Sequence, residues 1–144
     1  MNMKKPYFFP IVIVLLICTG LIHQEKPLSN LLPEDDMTAC VSAGYYDGME
    51  TDLARVIPQE SIAALFEATT VKKGTSSKSL PSPCIEIRAT YHNEIYIIDV
   101  GEDNSVSVAS VDELDARTFW VDTTGELFES LYSIHLENGG AEFP

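Results

Sequence analysis

From Cys84 to Tyr91 the chain alternates: Ile85, Ile87, Ala89 and Tyr91 take turns with Glu86, Arg88 and Thr90. A helix cannot bury such a pattern, because its apolar residues must recur every three or four positions. A strand can, because successive side chains point to opposite faces. The stretch therefore requires a sheet with one buried face. The following residues repeat that requirement. Residues 95–100 are apolar on both faces, residues 105–110 carry Val106 and Val108, and residues 116–121 hold Phe119 and Val121. His92-Asn93-Glu94, Glu102-Asp103-Asn104 and Asp112-Glu113-Leu114-Asp115 separate the strands and are rich in residues that accept turn geometry. Four strands joined in this way predict an antiparallel meander.

The flanking segments supply helices. Residues 38–46 and 49–57 predict a hairpin around Asp47-Gly48, a dipeptide suited to a tight turn. Pro58 opens a helix whose stripe is Ile62, Leu65 and Phe66, and which fails at the β-branched run Thr69-Thr70-Val71. Residues 72–79, with Lys72, Lys73 and Lys78, read as a flexible basic loop. After the meander, Thr123-Thr124-Gly125-Glu126 fits a capping box ahead of Leu127, Leu131 and Ile134 at helical spacing. The expected fold class is α+β: an antiparallel sheet in the order ββ-α-ββββ-α, with two helices packed on one face.

The amino-terminal residues read differently. Lys4 and Lys5 precede a run from Tyr7 to Ile22 without charge, and the first acidic residue is Glu25. A basic start followed by a short apolar run predicts a secretory signal peptide or a retained membrane anchor. Cys18 and Gly20 suit cleavage after Gly20, and Cys18 leaves a lipoprotein reading open. The expected organisation is a leader over 1–23, a tether over 24–36 containing Pro27, Pro33 and Glu34-Asp35-Asp36, and an extracytoplasmic domain over 37–144. The membrane is then a partner through the leader, with Lys4 and Lys5 on the cytoplasmic side.

Charge narrows the partners. Of the nine basic residues two are Lys4 and Lys5, leaving seven against 22 acidic ones beyond them, a net of −15 for the remainder. Nucleic acid, which requires displaced counterions, is excluded as a partner. Adhesion to anionic lipid by charge alone is excluded too. A cationic partner, divalent ions or simple solubility remain. Beyond the leader, Cys40 and Cys84 fit one disulfide in an exported domain; two buried free thiols are the alternative.

No catalytic residue, metal ligand set or cofactor is expected. Gly101-Glu102-Asp103-Asn104 lacks the ligand spacing of a calcium loop and reads as a turn. His23, His92 and His135 read as a membrane-edge residue, a turn residue and a helix-end surface residue, none beside a nucleophile in a recognised motif. Asp122, Glu126 and Glu129 cluster where the last helix starts, and favour its positive end without any chemistry.

The leader with Lys4-Lys5, the stretch "IPQESIAALFEA" and the stretch "TFWVDTTGELFESLY" together resemble small exported or membrane-tethered proteins of Gram-positive bacteria that carry an α+β domain. The resemblance implies an extracytoplasmic location and transfers no site residues. The function expected is a non-enzymatic interaction module, membrane-anchored or secreted, whose partner is an envelope protein. The other class left open is a cell-envelope enzyme working through surface carboxylates.

Alternation also assigns faces. With Ile85, Ile87 and Ala89 toward the helices, Arg88 and Thr90 face away, together with Ile95, Ile97 and Asp99. Placing Phe119 and Val121 in the core turns Thr118, Trp120 and Asp122 outward. The expected binding patch is therefore Ile95, Ile97 and Trp120, rimmed by Arg88, Thr90, Asp99 and Asp122.

Overall fold

The computed structural model describes residues 24–46, 50–51, 58–74, 83–139 and 142, with the backbone alone described at 41–46 and 50–51. In chain order the strands are β1 (Lys26–Pro27), β2 (Met37–Tyr46), β3 (Glu50–Thr51), β4 (Thr70–Lys73), β5 (Cys84–Tyr91), β6 (Glu94–Gly101), β7 (Ser105–Ser110) and β8 (Thr118–Asp122). The helices are α1 (Gln59–Ala68) and α2 (Leu127–Glu137), and Leu28–Leu31 and Val111–Ala116 form tighter 3-10 turns. The strands make one open antiparallel sheet in the order β1-β4-β8-β7-β6-β5-β2-β3.

The period-two pattern has its expected consequence at the centre. Ile85, Ile87, Ala89, Ile98, Val100 and Val106 are each fully buried on one face of the sheet. Ile62 and Phe66 of α1 and Leu127, Phe128 and Leu131 of α2 pack into the same cluster. The fold is thus α+β, with the predicted meander β5-β6-β7-β8 intact. Helix α1 ends where the β-branched run Thr69-Thr70-Val71 begins, and most of that run, with Lys72 and Lys73, becomes β4. Lys72 and Lys73, expected in a loop, therefore sit on a strand paired with Val121 and Trp120. The leader over 1–23 lies outside the described residues. Among those described, no helix is long and apolar enough to cross a membrane.

The expected tether is part of the fold. Lys26 pairs with Val71 and Pro27 with Thr70, and the Leu28 amide donates to the Thr69 carbonyl at 2.8 Å. Leu28 is completely buried and Leu32 nearly so, so this short turn contributes two core side chains. Their burial outweighs the flexibility that Pro27, Ser29 and Asn30 suggest, since each leucine taken from water stabilises by about 1.5–3 kcal/mol.

Strand β8 is inverted relative to the sequence reading. Residues paired across an antiparallel ladder share a face. Val100 pairs with Val106, and Val106 with Trp120, so Trp120 lies on the helix side. Asp99 pairs with Ser107, and Ser107 with Phe119, so Phe119 lies on the helix-free side with Val121 next but one. Asp122, expected outward, is 4% exposed beside the fully buried Val71. The reason is chemical. One Asp122 oxygen accepts from the Thr124 amide at 2.8 Å and the Thr124 hydroxyl at 2.6 Å, and the other accepts from the Glu126 and Leu127 amides at 3.0 and 2.9 Å. The carboxylate thereby satisfies amides at the start of α2 that would otherwise be orphaned. The expected capping box at Thr123 is not used: α2 begins at Leu127, and Glu126 at its N-cap gives no side-chain cap.

Replacing this carboxylate is expected to be costly. Asp122→Ala should destabilise by about 2–4 kcal/mol, from lost capping and orphaned buried donors. Asp122→Asn should lose less, because its amide oxygen still accepts. Urea unfolding midpoints at equal slope would compare the two.

Candidate functional site

The helix-free face brings together five of the seven expected patch and rim residues, Ile95, Ile97, Arg88, Thr90 and Asp99. Arg88 pairs with Ile97 and Thr90 with Ile95 across β5 and β6. Ile95 is 41% exposed, Ile97 is half-buried, and the exposed Arg88 bonds Glu86 at 2.9 Å. Trp120 is absent from this group, because it lies on the opposite face. It is half-buried there against the core. Its indole N–H donates to the Thr118 hydroxyl at 2.9 Å, and the Lys26 ammonium sits 4.5 Å from the ring centre. Without its aromatic anchor the expected patch loses the residue that carried the argument.

The rim residue Asp99 is on the expected face but only 2% exposed. The fully buried Ser107 donates to it at 2.7 Å. Arg117, arriving from the 3-10 turn Val111–Ala116, bonds the same carboxylate oxygen and donates to the Ser107 hydroxyl at 2.8 Å. A buried carboxylate persists only if paired and hydrogen-bonded. This one is, so its task is to fasten the 3-10 turn onto the sheet.

The turn between β6 and β7 is a turn, as read. Asp103 accepts from the Ser105 amide at 3.0 Å and from the Ser105 hydroxyl, and Asn104 takes a φ of 66°. Among the described residues no three His, Cys, Asp or Glu side chains converge to hold a metal ion. His92 is exposed, at a φ of 53°, with its Nε2 3.1 Å from Asp35. His135, expected at the surface, is 2% exposed and stacked on Tyr132. It lies on the buried stripe of α2 with Leu131 and Phe128.

The Cys40–Cys84 disulfide does not form: both thiols are free. Cys40 pairs with Ala89 on the inner face, whereas Cys84 lies five positions along β5 on the outer face. Five residues of strand span roughly 17 Å, well beyond the ~4–7 Å between α-carbons that a disulfide tolerates. Burial pushes the Cys40 thiol up to about 11. Burial, then the neighbouring Asp99 and Glu86 carboxylates, push Cys84 up to about 12, against the opposing pull of Arg117.

A concavity lies on the helix side, where the sequence offered a tether. A groove of about 680 Å³ runs between the segment from Ser29 to Met37 and helix α1. Leu32, Phe66 and Tyr91, each no more than 8% exposed, form its floor. Glu34, Asp35 and Asp36 stand on one wall and Glu67 on the other, all exposed. Among the described residues Lys26 is the one cation in the lining, and its ammonium lies over the Trp120 ring. The walls are fixed to each other, since the Gln59 amide donates to the Met37 carbonyl at 2.5 Å. Burial pushes the Tyr91 phenol up to about 12, helped by Cys40, so the floor stays uncharged at neutral pH. The pattern Leu28, Leu31, Leu32, at the spacing of one helical face, was the signal for a folded segment here.

Compared with known protein families, with characterised proteins and with solved structures, the chain matches none.

Two outcomes follow from these side chains. Arg117→Ala should destabilise by about 3–5 kcal/mol, because Asp99 is left buried and unpaired. The double variant Asp99→Leu/Arg117→Met should recover at least half of that loss, measured by the same unfolding series. In thiol titration, Cys40 and Cys84 should both react without prior reduction once the chain is unfolded. In the folded protein at pH 8 they should react at least about tenfold more slowly than a free cysteine, because thiolate is the reactive form.

Proposed function

We propose that the chain is an extracytoplasmic, non-enzymatic interaction module, and that the acidic groove beside α1 is its working surface. The groove carries this reading. It is concave, its walls are tied together before any partner arrives, and exposed carboxylates rim an apolar floor. A preformed site of this kind costs little ordering on binding. The buried carboxylates, by contrast, are committed: Asp99 to Ser107 and Arg117, and Asp122 to the start of α2. They support the fold and leave no buried carboxylate pair free for acid–base work among the described residues. The extracytoplasmic location rests on Lys4, Lys5 and the apolar run behind them. The acidic excess beyond that run fits a partner that is a protein of the envelope and not nucleic acid.

Two measurements on the full chain test the reading. A reporter that is active only outside the cytoplasm, fused after Pro144, should be active. A reporter working only in the cytoplasm would overturn the location. For the surface, a photo-crosslinking residue placed at Ala63 in the groove should capture a partner in intact cells, and one at Ile95 on the helix-free face should not. Capture from Ile95 alone would move the working surface to the other side of the sheet.

A further inference from the structure

We infer that the groove takes a basic peptide segment in which an apolar side chain is flanked by lysines or arginines; this rests on the groove being the working surface. Three observations point to that occupant. First, the charge on the two walls is of one sign: Glu34, Asp35 and Asp36 face Glu67 across the opening. Among the described residues, Glu34, Asp36 and Glu67 make no ion pair, and Asp35 meets only the exposed His92. Second, the lining's own cation does not neutralise them, because the Lys26 ammonium lies over Trp120. Third, the floor is apolar and aromatic, built from Leu32, Phe66 and Tyr91.

Each observation removes a competitor. A divalent ion would need converging ligands, and among the described residues no such group exists. A bare polyamine would satisfy the rim and leave the floor wet. An apolar segment without charge would leave carboxylates on both walls facing each other across the seated chain. A segment of the form basic-apolar-basic matches all three features, with Ser29 and Asn30 on the lining to meet its backbone. Carboxylates on both sides of the seated side chain set the spacing: the flanking cations must lie on either side of the apolar residue, not on one side only. Charge complementarity of this kind speeds encounter and rejects acidic partners.

The test is fluorescence anisotropy of a labelled synthetic peptide, Gly-Lys-Lys-Phe-Lys-Arg-Gly, titrated with the purified full chain. It is repeated with Phe replaced by Ala, with the basic residues replaced by Glu, and with spermidine as competitor. The basic peptide should bind at least about 100-fold more tightly than the acidic one. Replacing Phe should weaken binding at least about tenfold, the scale of one buried apolar side chain. Glu34→Gln, Asp36→Asn and Glu67→Gln, all at exposed positions, should each weaken it severalfold without changing the unfolding midpoint, and Ile95→Ser should change nothing. Equal binding of the basic and acidic peptides, or indifference to all three carboxylate variants, would overturn the inference. Indifference to the loss of Phe, with spermidine displacing the peptide at matched charge, would overturn it in favour of a small polycation. Crosslinking from Ala63 reports occupancy whatever the partner's charge, so capture there without peptide binding would reject the basic segment and leave the groove standing.

Discussion

Asp122 joins the parts of this fold that alternation alone cannot join. It ends β8 and its two oxygens hold the first amides of α2. Its own amide donates to the Asn104 carbonyl at 2.8 Å, and the Thr123 amide that follows donates to Thr70 at 2.9 Å. One junction thus sets the turn after β6, the register of β4 and the angle at which α2 leaves the sheet. Burying a carboxylate costs several kcal/mol unless donors replace the water it loses. Here the donors are groups that needed an acceptor anyway, so one placement removes two penalties. Gly125, at a φ of 70°, lets the chain make the bend that brings those amides around, with the Asn104 side chain against its open side.

The two faces of the sheet are stabilised by different means. The helix side is a packed apolar layer closed by α1 and α2. The other side is covered at the β6–β7 end by a 3-10 turn, and polar side chains do the fastening there. Arg117, Asp99 and Ser107 make a closed set in which each polar group meets another. Breaking such a set is more damaging than never having built it, because the surviving charge remains buried. The division leaves Ile95 and Ile97 beside a fastened turn, and leaves the open concavity on the helix side, between α1 and the segment ahead of β2.

The central sheet was legible because alternation is a direct consequence of strand geometry, and Ile85, Ile87 and Ala89 could face only one way. Strand β8 was misread because Phe119 and Val121 are more apolar by type than Thr118, Trp120 and Asp122. Type is a poor guide where a carboxylate has amides to satisfy and an indole has both a hydroxyl and an ammonium to meet. Strands β1 and β4 were missed for a different reason: two and four residues carry no measurable period. They exist because neighbouring strands offer unpaired edges. The groove inherited that difficulty. Its acidic wall was visible as Glu34-Asp35-Asp36, but only the burial of Leu28 and Leu32 turns that wall toward α1. The disulfide was a compositional inference, and register, which composition does not hold, decides it.

Strand β1 is the lightly held edge of the sheet. Two residue pairs and the Leu28 amide bond attach it to the rest of the sheet at an outer edge. So short a ladder gives β1 fewer backbone bonds to its neighbour than any central strand has. Peeling β1 away would draw out Leu28 and move Lys26 off Trp120, and Lys26 lies on the groove. Local opening of this kind draws on the least stable part of a fold. The wall of the groove is therefore tied to one of the least anchored strands of the fold, and opening at that edge would reshape the groove while the central sheet stays intact.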